Sequence, residues 1–139
     1  MALPDPEPGL VVRYDFLWRR EAELGRKLSK DRPACLVAAS DRAVKPRYVV
    51  LLPITHTRLG GDTIGIEIPA AVRRRLGLDD EPCWVIVSEY NVDEWPNAGL
   101  APIRGKRGVF AYGFLPPSLF AQVQTGFLKL ASRRGVRRR

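Results

Sequence analysis

The chain has 139 residues, enough for one hydrophobic core and too few for two. Hydrophobic residues make up 45% and charged residues 27%, which excludes wholesale disorder, and no apolar run approaches the ~20 residues of a membrane span. Lys and Arg number 23 against 15 Asp and Glu, a net charge of +8 that points to polyanionic partners.

The charge is unevenly placed. Residues 104–139 carry nine basic residues and no acidic one, whereas residues 1–103 carry 14 basic and 15 acidic residues. The basic quarter suits nucleic acid or an acidic protein segment, and its final RRGVRRR equally suits a solvated tail. Cys35 and Cys83 are too few for a disulfide scaffold and lack metal-ligand spacing, so no structural metal or cofactor is expected. The N-terminus is acidic and proline-rich without a signal-peptide pattern, and a cytoplasmic protein is expected.

Residues 1–8 read as a disordered leader, 9–132 as one domain and 133–139 as a basic tail. Leu10 to Phe16 is rich in β-branched and aromatic residues and predicts a strand. Residues 17–31 are charged and read as a long basic loop, with room for one helical turn at Trp18–Leu24. Ala34–Ala39 predicts a buried strand, and Tyr48–Leu52 another, stopped by Pro53. Thr63–Ile68 alternates with period two, as a half-buried strand does. Pro69–Leu76 predicts a short helix, with Pro69 at its first position and Gly77 as its stop. Trp84–Glu89 and Gly108–Leu115 complete the strands. After Ser118, a plausible N-cap, Leu119, Phe120, Val123, Phe127 and Leu130 recur at helical spacing and predict an amphipathic helix over 119–132. The fold class is mainly β: a small barrel or curled sheet with a short crossover helix and a C-terminal helix.

P-loop, GxSxG and HExxH signatures are absent. The candidates for chemistry stand at predicted strand ends. Arg32 precedes Pro33, which biases it towards extended backbone. Its planar fork suits a phosphate, or else pairs with Asp31 or another acid. Thr55, His56, Thr57 and Arg58 place two hydroxyls, an imidazole and a guanidinium in four consecutive residues. They suit phosphate binding and proton transfer, or else form a polar hairpin rim. Glu89 is a salt-bridge partner for Arg32 or a general base. Lys27 and Lys30, in the basic loop, join Thr57 and Arg58 as candidate contacts to a nucleic acid. His56 follows Thr55 directly, and adjacent strand residues face opposite ways, so His56 joins the site only if the chain bends after Pro53-Ile54.

Four pieces in this order resemble the PemK/MazF family of bacterial type II toxins. They are Pro8-Gly9-Leu10-Val11-Val12 with Tyr14 and Phe16, Lys30-Asp31-Arg32-Pro33-Ala34-Cys35-Leu36-Val37, Val49 to Thr55, and Trp84 to Glu89. The resemblance runs from about Gly9 to Glu89; Ser88 to Pro96 and Gly113 to Pro117 look like a PemK-like subgroup with a longer C-terminal helix. It implies an SH3-like β-barrel, a homodimer, an inhibitory antitoxin, and metal-independent cleavage of single-stranded RNA by attack of a 2′-OH. It carries the active-site arginine and threonine to Arg32 and Thr55, and a carboxylate to Glu89, and it implies that the nucleic acid met by Lys27, Lys30, Thr57 and Arg58 is RNA. The chain departs from the family in its long loop before Arg32, in His56, and in Val87, where some members carry a catalytic arginine. The alternatives are a gyrase-inhibitor-like toxin of the same fold, and an RNA-binding module without catalysis.

Overall fold

The computed structural model describes residues 3–25, 31–57, 59–131 and 135–138. Its described elements run β1 Leu10–Tyr14, α1 Arg19–Glu23, β2 Arg32–Ala39, β3 Arg47–Thr55, β4 Gly65–Glu67, α2 Ala70–Leu76, β5 Trp84–Ile86, β6 Tyr90–Trp95, β7 Ala111–Phe114, α3 Pro117–Leu130 and β8 Gly135–Arg137. The strands form a curled sheet in the order β4-β5-β3-β2-β1-β7, and β6 lies beside β3 and carries β8. The pairs are antiparallel except β6 with β8. The protein is therefore mainly β, a small barrel-like sheet with short helices, as its sequence predicts. Among the described residues no helix is long and apolar enough to cross a membrane.

The central strands are apolar at consecutive positions because both faces of the sheet are covered. Val11, Cys35, Leu52 and Ile54 face one core, closed by Leu76 of α2 and by Leu119, Val123 and Phe127 of α3. Their neighbours Leu10, Val12, Ala34, Leu36 and Leu51 face a second core, against which Trp18, Trp95 and Leu100 pack. Strand residues point alternately to opposite faces, so burial on both replaces alternation with a continuous apolar run. Each fully buried Val or Leu side chain contributes about 1.5–3 kcal/mol.

Several boundaries differ from expectation for identifiable reasons. Pro53 does not stop β3, which continues to Thr55. The strand pairs with β6 over 47–51 and with β5 over 54–55, so Pro53 falls where one partner gives way to the next. A residue without an N–H is tolerated at such a break in the ladder. Pro69 is the N-cap of α2 rather than its first residue, and Gly77 ends the helix in the left-handed region at φ 73°. Pro116 rather than Ser118 caps α3, with Pro117 at its first position, where a missing N–H costs nothing.

Three segments acquire structure that the sequence pattern does not announce. Strand β6 follows the site carboxylate Glu89, and the polar residues Asn91 and Asp93 are its fully buried positions. Residues 135–137, read as tail, form β8 against Tyr90–Val92. A Cβ at Gly135 would overlap the Tyr90 ring, which explains glycine at that approach. In the segment read as a disordered leader, Pro6 is buried and Asp5 lies 3.7 Å from Arg42.

Candidate functional site

Antiparallel pairing of β2 with β3 sets Ala34 opposite Pro53. Two residues further along each strand, the same register brings Arg32 and Thr55 to one end of the sheet. Strand β5 pairs with the end of β3, Thr55 opposite Trp84, and its continuation delivers Glu89. Residues separated by more than fifty positions thus converge. Arg32, Thr55 and Glu89 line one hollow of about 550 Å³ with Trp18, Arg20 and Thr57.

Arg32 is half-buried, and its Nε is shielded from solvent without a hydrogen-bond partner among the described residues. Its guanidinium carbon lies 5.3 Å from the centre of the Trp18 ring, a cation–π contact. Phe16 holds that ring edge-on at 5.2 Å. Burial lowers the Arg32 pKa, opposed by the negative charges of Glu21 and Asp15. The group is a preformed cation at the wall of the hollow, suited to an oxyanion.

Thr55 is 6% exposed, and its hydroxyl accepts the Thr57 N–H at 3.0 Å while keeping its own proton to donate. Glu89 accepts the Arg19 N–H at 2.6 Å. Burial pushes its pKa above the ordinary glutamate value, and the Arg19 N–H and the charges of Arg19 and Arg20 pull it part of the way back. A carboxyl raised in this way binds a proton more readily, the property a general base needs.

His56 takes a different position. Strand β3 runs unbroken to Thr55, and the His56 ring lies in a second hollow of about 620 Å³, which Arg32, Thr55 and Thr57 also line. Its Nε2 is 2.8 Å from Asp79 Oδ2 and its Nδ1 is 3.2 Å from the Pro82 carbonyl. Both nitrogens face acceptors, so His56 ties the end of β3 to the segment between α2 and β5. His56→Gln is therefore expected to leave folding stability within about 1 kcal/mol of wild type, because the tie is half-exposed and such pairs contribute little. Thermal unfolding at neutral pH checks this.

Lys27, Lys30 and Arg58 lie outside the described residues. Thr57 lines both hollows, on the ridge formed with Arg32 and Thr55. Val87 is 1% exposed and packs in the core against Gly126 of α3. Val87 belongs to the apolar core closed by α3 and lines neither hollow, so the position is a packing site here. Among the described residues, no group of three or more His, Cys, Asp or Glu is placed to hold a metal ion.

Trp18, Arg13 and Tyr112 also stand at the two hollows. Trp18 lies in a stretch whose charge masked its role. Arg13 was signalled by being the one charged residue of an apolar strand; its guanidinium donates to the Tyr112 hydroxyl and the Asp31 carbonyl, both at 3.1 Å, at the wall of the second hollow. Comparison of the chain with protein-family models and with curated proteins returns no match.

Proposed function

We propose that this chain is a metal-independent endoribonuclease that cleaves single-stranded RNA, acting in the cytoplasm as the toxin of a type II toxin–antitoxin pair. The observation that supports this most is the convergence of Arg32, Thr55 and Glu89 on one hollow.

In this reading a phosphodiester sits on the ridge between the two hollows. Glu89 takes the proton of the ribose 2′-OH, and that oxygen attacks the adjacent phosphorus. Arg32 stabilises the negative charge that accumulates on the non-bridging oxygens, and the Thr55 hydroxyl donates to one of them. The bond from phosphorus to the 5′ oxygen breaks, and water supplies the proton to the departing oxygen. The products are a 2′,3′-cyclic phosphate and a 5′-hydroxyl. Arg13 and Arg104 in the second hollow and Arg20 in the first give the flanking phosphates cationic walls.

The test is incubation of the purified protein with a long single-stranded RNA in EDTA. The reading expects discrete fragments; intact RNA contradicts it. A second reading, RNA binding without cleavage, draws on the core position of Val87 and predicts retention of the RNA uncut. The gyrase-inhibitor-like alternative has less support, because α3 buries Leu119, Val123 and Phe127 in its own barrel.

The proposal includes a homodimer and an acidic antitoxin as partners. Phe114 and Leu128 are exposed apolar residues at 47% and 68%. Light scattering at micromolar concentration is expected to give twice the 15.6 kDa chain mass; the chain mass alone contradicts the dimer.

A further inference from the structure

We propose that the C-terminal strand is a clasp that positions the candidate site, with Arg138 as a positioning residue acting through Asn91 and residues 15–21. Its mechanical part stands on the contacts alone, whereas its effect on catalysis rests on the endoribonuclease reading.

Strand β8 lies parallel along β6, with Tyr90 opposite Gly135, Asn91 opposite Val136 and Val92 opposite Arg137. The Arg138 N–H closes the ladder on the Val92 carbonyl at 2.8 Å. The Arg138 side chain then turns inward between β6 and β1. Its Nη1 donates to the Asp15 carbonyl at 2.7 Å and to Asn91 Oδ1 at 3.2 Å, and lies 3.4 Å from the Tyr14 hydroxyl. That hydroxyl donates to the fully buried Asp93 carboxylate at 2.6 Å. The arginine thus brings positive charge towards a buried anionic network, where charge-assisted bonds are strongest.

Asn91 links this network to the site. Its Oδ1 accepts the Leu17 N–H at 2.9 Å and its Nδ2 donates to the Leu17 carbonyl at 2.8 Å. Leu17 is thereby gripped at both backbone groups. The next residue is Trp18, whose ring lies under Arg32, and the one after is Arg19, whose N–H is held by Glu89. Asp15 and Glu21, which flank this stretch, both act electrostatically on Arg32. The clasp therefore holds the backbone that carries the Trp18 platform and the Glu89 donor. Nothing in the clasp touches either hollow, so its effect falls on geometry rather than on RNA binding.

The experiment compares full-length wild type with Arg138→Ala, Arg138→Met and Arg138→Lys by hydrogen exchange and by RNA cleavage kinetics. Arg138→Ala and Arg138→Met, which retains the aliphatic stem, are expected to speed exchange at the Leu17 and Arg19 amides about tenfold, the effect of losing a hydrogen bond to a charged group. Exchange in the β2–β3 ladder stays at the wild-type rate. Cleavage loses about tenfold in kcat with KM within about twofold, as expected when positioning rather than binding is impaired. Arg138→Lys, whose ammonium has three protons for the same acceptors, restores slow exchange and most of kcat. Unchanged exchange at Leu17 and Arg19 in the two apolar variants overturns the clasp, as does faster exchange spread evenly over the β2–β3 ladder. A wild-type protein that cuts no RNA overturns the functional reading instead, and the exchange data still decide the clasp.

Discussion

Arg32→Ala is expected to lower RNA cleavage by about 10²–10³-fold, the cost of removing one preorganised donor from a developing oxyanion. The side chain starts β2 at the end of the sheet and adds little to either core, so circular dichroism and thermal unfolding should stay near wild type. Arg32→Lys should recover little activity. An ammonium keeps the charge but lacks the planar fork that lies over Trp18 and presents several donors to one phosphate. Thr55→Ala removes a single neutral donor and should cost less, about tenfold. Initial rates on one RNA substrate, alongside the unfolding curves, give the comparison; a folded Arg32→Ala protein with wild-type rates removes this residue from the mechanism.

Glu89→Gln is expected to lower kcat by about 10²–10⁴-fold, the range for loss of a general base. The amide oxygen still accepts the Arg19 N–H, so the local backbone is retained. The sign of the stability effect follows from the raised pKa. Burial disfavours the carboxylate in the folded protein, so Glu89 favours folding most below its unfolded pKa, and that contribution is lost as pH rises through the higher folded value. At neutral pH the glutamine variant should therefore be at least as stable as wild type. In a pH–rate profile, wild-type cleavage should rise with pH through a pKa above the ordinary glutamate value, and the residual activity of the variant should lack that limb. A wild-type limb retained in Glu89→Gln assigns the proton transfer elsewhere.

What was legible in the sequence divides along physical lines. Strands β2 and β3 could be read because both faces are buried, leaving uninterrupted apolar runs. Helix α2 could be read from Pro69 and Gly77, whose backbone preferences are local. Arg32 and Thr55 were visible as polar residues abutting apolar strands, and register then brings them together. Strand β6 was hidden because Asn91 and Asp93 occupy its buried positions, satisfied by Leu17 and Tyr14 from distant segments. No periodicity scale scores such residues as inward. Strand β8 was hidden by Arg137 and the arginine that follows it, since the inward turn of the half-buried Arg138 depends on carbonyl, amide and hydroxyl acceptors supplied by β1 and β6 and the residue after β1. His56 reads both as a proton carrier and as a rim residue, and its ring meets Asp79 in the hollow that Arg32 and Thr55 also line.

The claim at the centre of this account is that the ribose 2′-OH is the nucleophile, driven by Glu89 and stabilised by Arg32 and Thr55. Mass spectrometry of the fragment ends after cleavage in EDTA tests it most directly. The account predicts a 2′,3′-cyclic phosphate on each upstream fragment and a 5′-hydroxyl on each downstream one. Fragments carrying 3′-hydroxyl and 5′-phosphate ends would require water as the nucleophile and would contradict it.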